Sequence, residues 1–259
     1  MQWYIKGGKV MKVIRYVRKK DGSYAIFFDD DRVVCLYEEV ILENELLLKS
    51  SLSSEFLNKC LEKNKKWQCY HEALSLLKKK MKTTYELTCL LKNKGYDEEL
   101  CSFAVSKLLH QGYLDDLQYA KSYVHFQMLT TSHGPFSIQT NLQQKRIDSF
   151  LIEQALQLYD LEKQQEKVEK IVKRKSLSNQ SKSKRYLVQK LQYELLKDGF
   201  DKNVVNKALK NLEIQNESAV AKREYEKLYR KFSKKYDGKE LEYRLQQKMY
   251  QLGFTNDKY

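Results

Sequence analysis

The 259-residue chain is poor in the residues that interrupt helices: it has 1 Pro and 9 Gly. Helix interiors need neither residue, so this scarcity excludes a loop-rich or collagen-like chain and favours helices. Its 5 cysteines, Cys35, Cys60, Cys69, Cys89 and Cys101, are odd in number, and no two stand at Cys-x-x-Cys spacing. That excludes a disulfide framework and a structural zinc site, and reads most of them as small core residues of a reducing compartment. No stretch approaches the roughly 18 apolar residues of a membrane span, and no signal-peptide core is visible. A soluble, cytoplasmic protein without membrane contact is expected. Its histidines, His71, His110, His125 and His133, lie apart and form no Cys-His or Ser-His-Asp pattern. Ser132-His133-Gly134-Pro135 mimics an active loop, but a flexible Gly134 ahead of Pro135 in a first helical turn explains it better. A phosphate-cradling loop of the G-x-x-x-x-G-K-[ST] kind is also missing. No catalytic residue, metal ligand or cofactor site is expected, and no enzyme.

What is present is charge. The chain is 42% hydrophobic and 32% charged, with a formal net charge of +14. Such an excess points to an anionic partner: nucleic acid, a nucleoprotein or an acidic protein surface.

Residues 1–50 read as a β-rich extension. Met1 to Val10 is either a strand or the lead-in to an alternative start at Met11. A β-branched run follows from Val10 to Arg18, then the Asp21-Gly22 hairpin signal, a second strand over Tyr24 to Phe28, and a third over Val33 to Leu36. A short helix is expected around Glu38 to Leu42. Asp29, Asp30 and Asp31 lack the ligand spacing of a calcium loop and read as a solvated turn. Ser50 to Ser54 is a polar joint that offers an N-cap. Residues 51–82 then form a linking helix that ends in Lys78-Lys79-Lys80-Met81-Lys82.

The rest of the chain repeats at intervals of about 50 residues. With Gly95, Arg146, Gly199 and Gly253 as position zero, Leu87, Ile138, Leu191 and Leu245 fall eight residues before it. Leu91, Leu142, Leu195 and Met249 fall four before it, and Tyr96, Ile147, Phe200 and Phe254 directly after it. Asp97, Asp148 and Asp201 are placed to cap the next helix. Ala104, Ala155 and Ala208 allow close helix approach. Leu100, Phe103, Leu108 and Leu109 are expected to face inward from the helix after Gly95. With a third helix in each unit, the fold class is mainly α: tandem three-helix repeats at 83–130, 131–180 and 181–236, and a partial repeat at 237–259, forming an elongated curved array behind the small N-terminal β-meander.

Leu90-Leu91-Lys92-Asn93-Lys94-Gly95-Tyr96, Gly112-Tyr113-Leu114-Asp115-Asp116 with Tyr119-Ala120 and Tyr123-Val124, Gly134-Pro135, and Lys145-Arg146-Ile147-Asp148 resemble the RecX family of bacterial regulatory proteins. The likeness covers residues 9 to 259, and the β-rich part resembles the extension of longer members. The resemblance implies a non-enzymatic protein that binds the RecA recombinase filament on single-stranded DNA and inhibits its ATPase and strand exchange, with some members binding DNA directly. It implies a regulator of DNA repair and recombination. A monomer is expected. Two features depart from the pattern: the joint Ser176 to Ser181, and Arg146 where the family usually has Gly. A left-handed non-Gly residue costs on the order of 1 kcal/mol, so either that turn is altered or Arg146 touches the partner.

The basic runs are the candidate contacts with phosphate or with the filament. One is Lys78, Lys79, Lys80 and Lys82. A second holds Lys170, Lys173, Arg174, Lys175, Lys182, Lys184, Arg185 and Lys190, with Tyr186 and Tyr193 interleaved for stacking on unpaired bases. The third runs through Lys222, Arg223, Lys227, Arg230, Lys231, Lys234 and Lys235, diluted by Glu224 and Glu226. The second competes with a plainer reading as a solvated helix end plus linker, and the third with a helix face held by i,i+4 pairing. The alternative function is a stand-alone DNA-binding regulator whose helix-turn-helix-like units dock in a groove.

Overall fold

The computed structural model describes residues 10–179, 181–212 and 217–255. The reading of Met1 to Val10 therefore falls almost wholly outside the described residues, as do Gln180 of the Ser176 to Ser181 joint and the last residues of the partial repeat.

Strands β1 (Val10–Arg18), β2 (Ser23–Phe28), β3 (Val33–Tyr37) and β4 (Ser51–Ser53) form one antiparallel sheet in the order β3-β2-β1-β4. The hairpin and meander stand where the sequence put them. β4 does not follow from the sequence: the polar joint at Ser50 to Ser54 pairs with β1, Leu52 opposite Met11. Its two roles are compatible, because Leu52 and Met11 face the core while Ser53 Oγ accepts from Phe56 N at 3.2 Å and caps the next helix. Helix α1 (Glu38–Glu43) and the long α2 (Ser54–Lys79) cover the inner face. One core runs from Ile26, Phe28 and Leu36 of the sheet through Val40, Ile41, Leu57 and Cys60 to Leu87, Leu91 and Cys101.

The remaining helices are α3 (Thr84–Asn93), α4 (Glu98–His110), α5 (Asp116–Thr130), α6 (Pro135–Gln144), α7 (Ser149–Leu156), α8 (Leu161–Ser178), α9 (Lys184–Lys197), α10 (Lys202–Lys210), α11 (Glu217–Phe232) and α12 (Gly238–Gln251). The repeat positions are buried as their spacing requires. Leu87, Ile138, Leu191 and Leu245 lie in cores, as do Leu91, Leu142, Leu195 and Met249, and Ala104, Ala155 and Ala208. Asp97, Asp148 and Asp201 each accept a backbone N–H of the first helical turn at 2.7–2.9 Å. One inward assignment is corrected. Leu109 is 45% exposed, because Leu108 already takes the core position and the neighbouring residue on a helix lies about 100° away. Long helices pack on the pair that follows them: α2 on α3 and α4, and α8 on α9 and α10; α11 packs on α12.

The chain divides into two compact units. The first ends at Tyr119 and takes in Lys145–Ile147; the second holds Ala120–Gln144 and continues from Asp148.

Within each unit, the start of one helix pair docks on the turn of the next pair. Thr83 Oγ1 donates to the Lys145 carbonyl at 3.3 Å. Gly134 N donates to the Asp198 carbonyl at 2.7 Å, Phe136 N to that of Gly199 at 3.1 Å, and Ser183 N to that of Leu252 at 3.1 Å. Lys145, Asp198 and Leu252 all stand one residue before position zero, so the same joint is made three times. The bonds from Gly134, Phe136 and Ser183 satisfy N–H groups that a helix start leaves without an internal partner, while at Thr83 the hydroxyl makes the joint. Gly134 is therefore not a flexible lead-in. It is buried, and a Cβ on it would stand 2.4 Å from the Gly199 carbonyl carbon. Arg146 keeps the left-handed turn, with φ 58°. The joint at that turn is held by its neighbour: Lys145 pairs with Glu86, which closes a capping box with Thr83.

Candidate polyanion interface

Three groups of cations were singled out, and the structure treats them differently. Lys78, Lys79 and Lys80 are exposed at the end of α2, and Lys82 is half-buried behind them. Arg146 is exposed on its turn. These belong to the first unit.

In the second unit, Lys170, Lys173 and Arg174 project from α8, whose opposite stripe of Val168, Ile171 and Val172 is buried. Lys170 reaches Glu166 at 3.6 Å, with both side chains mostly exposed, a pairing worth a few tenths of a kcal/mol (~0.3). Lys175 and Lys190 turn to one acid: Lys175 pairs with Glu194, and Lys190 approaches it at 4.0 Å. Those two lysines tie α8 to α9 and offer less to a ligand. Lys182 lies over the Tyr186 ring at 5.0 Å. Lys184 and Arg185 open α9 and are exposed. Arg185 shares a small groove of about 110 Å³ with Tyr186, Tyr250 and Phe254.

The first turn of α9 is informative because it carries the wrong sign. A helix N-terminus favours acids, yet Lys184 and Arg185 stand there with no acid in the turn. The compensation comes from Glu217 of α11, whose carboxylate accepts from Lys184 N at 2.9 Å, while Ser183 Oγ accepts from Tyr186 N at 3.1 Å. The cations at this turn are thus not explained by helix stability. Like charge also accumulates along α8. Burial first, then the neighbouring Arg174 and Lys170, hold the Lys167 ammonium below the usual lysine range, and Lys167 donates to the Met128 carbonyl.

Arg223, Arg230 and Lys231 are brought together on α11. With Lys227, Lys234 and Lys235 they line one open groove of about 580 Å³. Of the acids that organise these faces, Glu224 was visible within its run, whereas Glu194 and Glu217 were not read as part of them. Of those two, Glu194 could have been signalled by its i,i+4 spacing from Lys190. Among the described residues no group of three or more His, Cys, Asp or Glu could hold a metal ion, and no helix is long and apolar enough to cross a membrane. His71 is engaged in the first unit, bonded to Glu39 at 3.0 Å and stacked on Tyr37.

Comparison with known proteins identifies the family. Residues 69–108 match the first three-helix domain of RecX, and residues 115–156 its second three-helix domain. A regulatory protein RecX of Bacillus cytotoxicus is 33% identical over 73% of this chain and 72% of its own length. One of Bacillus mycoides is 30% identical over 85% of this chain and 83% of its own. The chain belongs to the RecX family. A crystal structure of a regulatory protein RecX superposes with a TM-score of 0.67 at 26% identity, covering 76% of this chain and 97% of that one. This is accordingly a regulatory protein, mostly helical, with tandem RecX three-helix domains and a small N-terminal sheet. The matched domains begin one helix earlier than the units drawn at 83–130 and 131–180, in phase with the packing of α2 on α3 and α4. Both end before α8, so the basic faces of α8, α9 and α11 lie outside them.

Proposed function

We propose that this protein regulates a RecA-type recombinase by binding its filament on single-stranded DNA and holding back ATP hydrolysis and strand exchange. Membership of the RecX family supports a regulatory role. The observation that carries the polyanionic partner is the α8–α9 face, where Lys173, Arg174, Lys184 and Arg185 are exposed and where two of the four stand against a helix dipole. A repetitive body gains avidity on a repetitive lattice, because each further contact forms at high effective concentration. Held across neighbouring protomers, it hinders the rearrangement that hydrolysis and exchange require. The chain acts as a monomer, non-enzymatically, in the cytoplasm, and Lys78, Lys79, Lys80, Lys82 and Arg146 are secondary contacts.

The test is recombinase ATPase and strand exchange on single-stranded DNA with saturating protein. Suppression of both is expected, and unchanged rates sink the proposal. The second reading, a stand-alone DNA-binding regulator, is favoured by the same basic faces on three-helix units. A titration against random single-stranded, random duplex and promoter DNA separates the two. Tight, salt-resistant preference for one duplex sequence selects the second.

A further inference from the structure

Helix α5 ends without a cation of its own. Its last turn carries no basic residue, although the final carbonyls of a helix lack helical partners and favour positive charge. Lys167 of α8 supplies that charge from outside, its ammonium donating to the Met128 carbonyl. Beside Met128, buried Gln127 accepts at Oε1 from Thr131 Oγ1 at 3.0 Å and meets His133 Nδ1 at 3.0 Å. Side chains therefore hold the end of α5, and Lys167 is the cation among them.

No acid answers this ammonium: among the described residues no carboxylate stands within 4.0 Å of it. Its charged neighbours are Lys170 and Arg174, on the same helical face and exposed, whereas Lys167 is half-buried. Burial first, then these two cations, keep the Lys167 amine below the usual lysine range. Lys92 and Lys145, bonded to Glu98 and Glu86, are held above it. A desolvated lysine beside other cations carries more of its neutral form, which is the nucleophile. The Met128 carbonyl takes one N–H of either form and leaves the lone pair of the neutral amine unengaged. Two exposed cations next to that amine can hold a phosphate dianion through charge-assisted hydrogen bonds. Nucleophile and phosphate cradle thus stand on one face of α8.

We propose that Lys167 is an acylation site whose donor is an acyl phosphate. The ammonium first gives a proton to water. The neutral amine then attacks the acyl carbon. A C–N bond forms, and the C–O bond to phosphate breaks with its electron pair leaving on the phosphate that Lys170 and Arg174 hold. The second proton lost by the nitrogen also goes to water. The product amide is uncharged, so α5 loses the cation at its end. The inference does not depend on the filament reading, and its test contains no recombinase. The full chain is incubated with acetyl phosphate at neutral pH, and acetylation of each lysine is followed in time by peptide mass spectrometry. Lys167 should be marked several-fold faster than Lys231 and Lys234, which are exposed. The variant K170Q/R174Q, its fold checked by circular dichroism, should mark Lys167 several-fold more slowly than wild type. With the neutral donor N-acetoxysuccinimide the variant should lose less, because no phosphate has to be held. K167Q, which lacks the charge as the product does, should melt below wild type. Equal rates at Lys167 and Lys231, a variant as fast as wild type, or an equal slowing with both donors each overturns the proposal. An unchanged K167Q midpoint overturns the release of α5.

Discussion

The two units handle their cations in different ways. In the first, several cations tie one element to another through ion pairs: Arg18 with Glu38 at 2.9 Å, Lys66 with Glu99 at 2.8 Å, Lys94 with Glu72 at 2.9 Å, and Lys145 with Glu86. The run from Lys78 to Lys82 makes no such pair among the described residues. In the second unit Glu194, Glu217 and Glu224 engage the cations or N–H groups near them, while Lys173, Arg174, Arg185, Lys231, Lys234 and Lys235 face solvent. A net charge of +14 is therefore no measure of how much charge a partner meets. Where each cation's nearest carboxylate lies decides that.

The contrast can be broken from either side. The largest effect is expected from reversing the α8–α9 face with R174E, K182E, K184E and R185E together. Filament affinity, read by co-sedimentation at ~0.15 M salt, should fall on the order of a hundredfold with the helical signal intact. Equal retention at raised salt would reduce that face to a solvated surface. Next comes Gly134→Ala, which forces a methyl group into the Gly199 carbonyl. A cost of about 3 kcal/mol is expected, seen as a lower thermal midpoint, whereas Gly95→Ala should cost only about 1 kcal/mol for its left-handed φ of 90°. Equal losses at the two glycines would show that the joint carries no packing constraint.

In the first unit, Glu86→Gln should cost about 1 kcal/mol or less, since the pair with Lys145 is partly exposed. Burial pushes the Glu86 carboxyl up, but its bonds from Lys145 and the Thr83 N–H outweigh this and leave it below the usual carboxylate range. A carboxyl held low when folded stabilises above its unfolded pKa of about 4.3, and that contribution is lost as pH falls through the folded value. The wild-type and Glu86→Gln midpoints should thus converge below about pH 4. The smallest effect belongs to Lys94→Gln, which removes an exposed pair and should leave filament binding unchanged.

Much of this was legible in the sequence. Leu87, Leu91, Ala104 and their counterparts were fixed by spacing alone, because a core position in a helix recurs with the helical period. Asp97, Asp148 and Asp201 announced themselves as caps for the same local reason. What stayed hidden was long-range. β4 is three residues of serine and leucine whose strand character comes from pairing with β1. Gly134 and Gly199 carry the same residue type as Gly95, yet Gly134 is glycine because another backbone lies against it. At Arg146 a side chain fits the turn, since there the joint is made by the Thr83 hydroxyl and not by a backbone N–H. The basic runs were visible as runs, but Glu194, Glu217 and Glu224 reach them from elsewhere in the chain or from the buried side of a helix, so which cations stay free could not be read from the runs themselves.

The most direct measurement is the rate of ATP hydrolysis by a RecA-type recombinase on single-stranded DNA, with this protein added at saturation and, in parallel, the R174E/K182E/K184E/R185E variant. The expected result is a rate suppressed by the wild-type chain and restored with the variant. A rate that neither protein changes, or that both suppress equally, contradicts a regulator acting through the free cations of the second unit.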